Sequence, residues 1–223
     1  MILPRYYFEG DFSPFIQWVE TCAIEKIRIP KGNEIKYINQ VKAIYIKSGM
    51  VKLTIINESG DESVVMLAGQ GTIYPVTCLE EQFTIEQYMK MKTIMDTEII
   101  VFERAEIATM ISKNVEFAYA AMNFNSKTIN SLLTKNILGN YETSEQSVCS
   151  FLYSYIKYNP NDNHTVNLTQ EDIASITGLS RMQITRILST LRQDRVVETI
   201  RGKVIVLDVD LLEKKCAGIM KEV

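Results

Sequence analysis

The sequence predicts an α+β protein: a β-rich N-terminal half, one long helix, and a C-terminal winged helix-turn-helix. Three observations predict it. From Ile24 to about Phe102, short runs rich in Ile, Val and Thr alternate with glycine turns. Arg104 to Leu138 contains neither Gly nor Pro. Leu168 to Arg195 holds two amphipathic helical patterns joined at Gly178 and is followed by a β-branched hairpin.

Residues 1 to 20 are aromatic and irregular, and the segment from Pro14 to Cys22 reads as a short helix capped by Ser13. Strands are expected at Ile24–Ile29, Ala43–Lys47, Val51–Ile56, Ser63–Leu67 and Ile99–Phe102. Turn signals separate them at Pro30-Lys31-Gly32-Asn33, Ser48-Gly49, Glu58-Ser59-Gly60-Asp61 and Gly69-Gln70-Gly71. So many short strands imply a sandwich or barrel. Tyr88, Lys90 and Lys92 share one face of a further alternating run, and Met89, Met91 and Met95 share the other.

Arg104 to Leu138 reads as a short helix followed by a long one. Ile111, Val115, Ala118, Met122, Asn125, Ile129, Leu132 and Asn136 recur at alternating spacings of four and three, a heptad seam. The seam predicts a homodimer through a two-stranded coiled coil, with Asn125 as the polar residue that fixes register. The alternative is a helix packed only on its own barrel. Phe117, Ala121, Phe124 and Thr128 form a second face that serves barrel packing in either case. Gly139-Asn140 stops the helix, and Thr143 or Ser144 starts the next, which runs to about Tyr158. The predicted divisions are 1–103, a β-barrel domain; 104–139, a dimerisation helix; and 140–223, the winged helix-turn-helix domain.

Thr169, with Asp172 three residues on, starts the first helix of the helix-turn-helix, and Gly178 supplies the turn. Ser180 and Gln183 repeat the capping pattern for the second helix. Its core stripe is Ile184, Ile187, Leu188 and Leu191. The opposite face presents Arg181, Met182, Gln183, Thr185, Arg186 and Ser189, mostly residue types that contact phosphates and base edges. Such a helix pair also occurs in all-α cores that never touch DNA. What separates the readings is the hairpin of Val196–Ile200 and Val204–Leu207, whose basic turn, Arg201-Gly202-Lys203, forms a wing able to reach the DNA backbone.

Bulk composition narrows the function. The chain has 223 residues, 46% hydrophobic and 23% charged, which suits one or two folded domains. Net charge is −3, so DNA contact must be local rather than a property of the whole surface. Locally, Arg181, Arg186, Arg192, Arg195, Arg201 and Lys203 outnumber Glu171, Asp172, Asp194 and Glu198. No segment has the pattern of a membrane span or signal peptide, and a cytoplasmic protein is expected. Cys22, Cys78, Cys149 and Cys216 are scattered, which indicates buried thiols rather than a zinc site or disulfide framework. A barrel of this size also suits metal-dependent cupin enzymes, which hold a metal with several histidines. The single histidine, His164, lies far outside the barrel in a polar loop, and no paired acid–base constellation exists, so no metal, cofactor or enzyme activity is expected.

In this order the chain resembles the superfamily of the cyclic-AMP receptor protein and the fumarate and nitrate reduction regulator (CRP/FNR), over about residues 20 to 210. The resemblance rests on the glycine turns of Pro30 to Ile35, Tyr45 to Leu53, Ser59 to Glu62 and Ala68 to Gly71, together with Leu168 to Leu207. It implies a double-stranded β-helix, the cyclic-nucleotide-binding-like jelly roll. It also implies a dimeric transcription factor, more often an activator than a repressor, working with RNA polymerase on a palindromic double-stranded DNA site. A small molecule held between barrel and long helix would set the two DNA-reading units.

Departures from the pattern limit the signal. The phosphate cassette of cyclic-nucleotide members is replaced by Thr72-Ile73-Tyr74-Pro75-Val76-Thr77-Cys78, and no arginine occurs between Arg28 and Arg104. The closely spaced cysteines of iron–sulfur members and the barrel histidine of haem members are missing. What remains is an unknown small organic effector, with Tyr74, Tyr88, Lys90, Phe124, Asn125 and Thr128 as candidate contacts. A pocket of two tyrosines and a lysine suits an aromatic anion, a loose resemblance to the halogenated-phenol sensors. The alternatives are a cofactor-bearing redox or gas sensor and a regulator that needs no effector. In the recognition helix many members carry Arg-Glu-x-x-x-Arg; here Arg181 and Arg186 match, but Met182 replaces the glutamate. A methionine cannot accept from cytosine N4 but can touch a thymine methyl, so the half-site differs at that base.

Overall fold

The computed structural model describes residues 5–36, 41–56, 62–76, 89–138, 141–159 and 163–216. Their packing forms two compact units, one of residues 8–127 and one of residues 1–7 with 128–223.

The first unit is built from two four-stranded sheets. The strands are β1 (Tyr7–Phe8), β2 (Ala23–Ile29), β3 (Lys42–Ser48), β4 (Met50–Ile56), β5 (Glu62–Gly69), β6 (Ile73–Tyr74), β7 (Met89–Thr93) and β8 (Thr97–Glu103). One sheet has the order β1-β5-β4-β7 and the other β2-β8-β3-β6, and the pairings among β2 to β8 are antiparallel. The five strands expected from Ile, Val and Thr content are all present, each extended by one to three residues. Buried residues of both sheets, among them Tyr45, Ile46, Leu53, Met66, Met91 and Ile99 to Phe102, belong to one continuous core. Gly49 turns β3 into β4 at φ +90, and the carbonyl of Asp96 lies so close that a β-carbon could not fit.

Strand β7 alternates as expected: Met89, Met91 and Thr93 are buried, and Lys90 and Lys92 are exposed. The expected helix near Pro14 is α1 (Ile16–Thr21), preceded by a 3₁₀ turn at Ser13–Phe15. Ser13 is not its cap, because Ser13 already lies inside the turn and neither element has a side-chain cap. Two more helices follow, α2 (Ala105–Lys113) and α3 (Val115–Leu138). They are separate because Asn114 is extended, at φ −139 and ψ 107, and its Oδ1 accepts from the Phe117 amide at the start of α3. On α3, Phe117, Ala121 and Phe124 are buried, as expected of the barrel-packing face. Phe117 and Phe124 meet Phe8, Phe12 and Phe15 through ring contacts of 5.0 to 5.6 Å. Lys127 pairs with the buried carboxylate of Asp11.

The second unit contains α4 (Ser144–Tyr158), β9 (Thr165–Val166), α5 (Gln170–Thr177), α6 (Arg181–Gln193), β10 (Val197–Ile200), β11 (Lys203–Val206) and α7 (Val209–Lys214). Helix α4 begins with a capping box between Thr143 and Gln146, the first of three in this unit. It buries Val148, Phe151, Leu152 and Tyr155 at the centre of the unit. The wing is a three-stranded sheet in the order β10-β11-β9. Lys215 fastens the far side, 2.8 Å from Asp194 and 3.3 Å from Glu145.

The packing divides the chain differently from the expected 1–103, 104–139 and 140–223. The division runs through α3 between 127 and 128, and residues before Phe8 join the C-terminal unit. Among the described residues, no helix is long and apolar enough to cross a membrane.

Candidate nucleic-acid interface

The helix-turn-helix is held by local bonds that its sequence spells out. Thr169 Oγ1 accepts from the Asp172 amide at 3.1 Å, and Asp172 Oδ2 accepts from the Thr169 amide at 3.0 Å, a reciprocal box at the start of α5. Gly178 ends α5 at φ +71, a left-handed conformation that favours glycine, and the next amide, of Leu179, donates to the Ala174 carbonyl. Ser180 then opens α6. Its amide and hydroxyl both donate to Gln183 Oε1, at 2.9 and 2.8 Å, and the Gln183 amide donates back to Ser180 Oγ.

Ile184, Leu188 and Leu191 are buried along the inner stripe of α6, and Ile187 is half-buried. Outward, Arg181, Met182, Gln183, Thr185 and Arg186 are exposed, and Ser189 is half-buried. Ser180 is exposed, and Thr169 is half-buried. Thr169 and Ser180 are tied into their caps, so what they present outward is a helix N-terminus more than a free hydroxyl. Thr185 donates to Gln170 Oε1 at 2.8 Å, a link between α5 and α6 that sequence reasoning missed because the partners are fifteen residues apart. Arg186 donates from one terminal nitrogen to the Met182 sulfur at 3.6 Å.

The wing tip carries exposed Arg201 and Lys203 around Gly202 at φ +79. Between the wing, the start of α5 and Arg181 lies an open cleft of about 500 Å³. Its rim brings together Thr169, Arg181, Arg201 and Lys203, four of the residues expected to meet DNA. Met182, Gln183, Thr185, Arg186 and Ser189 continue along α6 beyond it.

The other predicted residues are more dispersed. Ile111 lies on α2, so the helical register does not run from it into the seam; Asn114 breaks the chain of heptads, which begins at Val115. Along α3, Val115, Met122, Ile129, Leu132 and Asn136 are exposed, and Ala118 and Asn125 are half-buried. Tyr119, Leu133 and Ile137, outside the predicted seam, are also exposed. Of the effector candidates, Tyr74 is half-buried, and its hydroxyl donates to the Met89 sulfur at 2.9 Å. Lys90 is exposed on the opposite face of β7 from Met89, so the structure does not bring it to Tyr74. Phe124 is enclosed by Phe8 and Phe12, while Asn125 and Thr128 are half-buried. Tyr88 lies outside the described residues.

Of the cysteines, Cys149 is buried and Cys22 and Cys216 are half-buried, whereas Cys78 lies outside the described residues. Burial pushes the thiols of Cys149 and Cys216 up to about 12, which leaves them protonated and inert. His164 is exposed at the turn before β9, where its carbonyl accepts from the Val206 amide.

Residues 146–215 match the family model of the Crp-like helix-turn-helix domain. Among curated proteins, none matches the chain in sequence. Solved structures match its fold. FixK2 from Bradyrhizobium japonicum has a TM-score of 0.75 at 15% identity, covering 88% of this chain and 98% of its own. CprK complexed with OCPA has a TM-score of 0.67 at 15% identity, covering 96% and 97%. The c-di-GMP responsive global regulator CLP of Xanthomonas campestris has a TM-score of 0.67 at 14% identity, covering 88% and 99%. Residues 146–215 therefore match a Crp-like helix-turn-helix domain, and they lie in a chain that shares the fold of FixK2, CprK and CLP.

Proposed function

We propose that the protein is a homodimeric, sequence-specific DNA-binding transcription regulator. The observation that carries this reading is the exposed polar face of α6 beside the basic wing, with Arg181, Arg201 and Lys203 around one cleft. Arg186 reads guanine, and Met182 rests against a thymine methyl. Gln183 has its carbonyl oxygen committed to Ser180, so it reads through its amide donors. Arg181, Arg201 and Lys203 hold phosphates.

Dimerisation through α3 covers Val115, Met122, Ile129 and Leu132, large apolar side chains that a lone chain leaves in water. Two-fold symmetry then places half-sites about one DNA turn, roughly 34 Å, apart on a palindrome. We assign control to a small organic effector rather than a cyclic nucleotide, with Tyr74 and Asn125 among its contacts, and the output to activation with RNA polymerase. That CprK was solved with a bound compound supports the effector.

Selection of bound duplexes from a random pool tests the DNA reading, and a palindrome with guanine in each half is expected. A pool without enrichment, or a monomer at micromolar concentration by sedimentation, overturns it. Native mass spectrometry of the purified dimer tests the effector; a retained organic mass is expected, and a bound metal or haem would replace it with a cofactor-bearing sensor.

A further inference from the structure

Three consecutive N-terminal residues pack into the unit that carries the helix-turn-helix. Tyr6 and Tyr7 are each 4% exposed, as buried as core residues. The ring of Tyr6 meets Phe151 of α4 edge-on at 5.3 Å, and the Lys135 ammonium of α3 lies 4.8 Å from the same ring. Arg5 makes a second bridge. Its carbonyl accepts from Ser131 Oγ on α3, and its guanidinium lies 4.6 Å over the ring of Tyr158 at the end of α4. Tyr7 adds a ring contact with Tyr155 at 5.6 Å.

Each bridge therefore has one foot on α3 and the other on α4. Helix α4 in turn packs on both α5 and α6, so the placement of α4 against residues 128–138 of α3 sets that of the recognition helix against the same stretch. Two aromatic contacts, two cation–π contacts and a hydrogen bond are a large set for three residues.

We propose that Arg5, Tyr6 and Tyr7 form a strap of positioning residues that fixes the recognition helix relative to the dimer helix, and thereby sets the spacing between half-sites that the dimer accepts. The proposal rests on the dimeric reading above. A rigid strap makes the protein intolerant of shifted half-sites, because both recognition helices must enter grooves at a set separation. Without the strap the helices still fit their grooves one at a time, but the pair loses its ruler.

The test uses the full-length protein and three duplexes: the selected palindrome, the same half-sites with two base pairs inserted between them, and a single half-site. In Tyr6→Ala the affinity ratio between the first two duplexes is expected to fall about tenfold, roughly 1.4 kcal/mol, with affinity for the single half-site unchanged. Tyr6→Phe keeps the ring and restores the wild-type ratio. Ser131→Ala removes a single hydrogen bond, so it tests the same point if Tyr6→Ala does not fold, and a smaller fall is expected. An unchanged ratio in a folded variant, or an equal loss on the single half-site, overturns the strap. A wild-type protein with no spacing preference overturns the dimeric reading and the strap together.

Discussion

The guanidinium of Arg186 lies one helical turn from Met182 and donates to its sulfur at 3.6 Å, on the exposed face of α6. Residues four apart on a helix are neighbours, and a thioether is only a weak acceptor. Arg186 is thus steadied without having its charge neutralised. A carboxylate at position 182 would instead neutralise it.

Removing the arginine should expose this directly. Arg186→Ala is expected to cost about 1 to 3 kcal/mol on the selected site and to relax preference at one base in each half. Fluorescence anisotropy against a panel of single-base variants measures both. An equal loss on every sequence would mean that Arg186 holds phosphate and does not read a base.

Met182→Glu should shift preference at the base it faces from thymine toward cytosine, by roughly 1 to 3 kcal/mol. The same panel reads it. Preference that stays on thymine would remove Met182 from the base-reading set.

Asn125 lies half-buried on the same helix line as Met122, Ile129 and Leu132. Asn125→Leu should tighten the dimer while loosening its register, since one polar residue in an apolar seam costs stability and fixes alignment. Sedimentation equilibrium should show a smaller dissociation constant. A weaker dimer would place Asn125 outside the seam.

Burial holds the Lys135 amine down at about 8, against an ordinary lysine value of 10.5. Between those values the unfolded chain binds a proton that the folded chain does not, so this group makes stability rise with pH in that window. The buried thiols of Cys149 and Cys216 act in the opposite sense above about pH 9. Comparison with Lys135→Met cancels them. Between pH 7.5 and 9.5 the stability difference should move toward the wild type by about 1 to 2 kcal/mol, read from denaturant melts. Parallel curves would show that Lys135 keeps an ordinary titration.

Two glycines should respond differently to the same substitution. At Gly178 a β-carbon meets nothing within 4 Å, so Gly178→Ala pays only for its φ of +71, about 1 kcal/mol. At Gly49 the new carbon would stand 2.5 Å from the Asp96 carbonyl oxygen, and Gly49→Ala should cost about 3 kcal/mol or more. Thermal melts rank them, and equal losses would contradict the close approach.

Local chemistry made most of the molecule legible. The capping residues Thr143, Thr169 and Ser180, the turn at Gly178 and the basic wing all act within a few residues of themselves, and each stands where the sequence puts it. The CRP/FNR resemblance drawn from their order is matched by the domain family and the fold. Periodicity carried less far: the heptad pattern continues through Asn114, but its side-chain cap breaks the helix there. Lys90 alternates with Met89 as predicted, yet alternation alone could not say that the methionine face is the inner one. Partners far apart in sequence were invisible, as with Gln170 and Thr185, or Arg5 and Ser131.

That last pair is 126 residues apart. Arg5 is made early and Ser131 late, so the unit of residues 1–7 and 128–223 cannot close while the chain is still being synthesised through its first half. The strands of the two four-stranded sheets, β1 to β8, are all made before then. The order of manufacture thus makes the unit of the helix-turn-helix the last to assemble, and the packing of Arg5, Tyr6 and Tyr7 helps to offset the entropy cost of closing so long a loop.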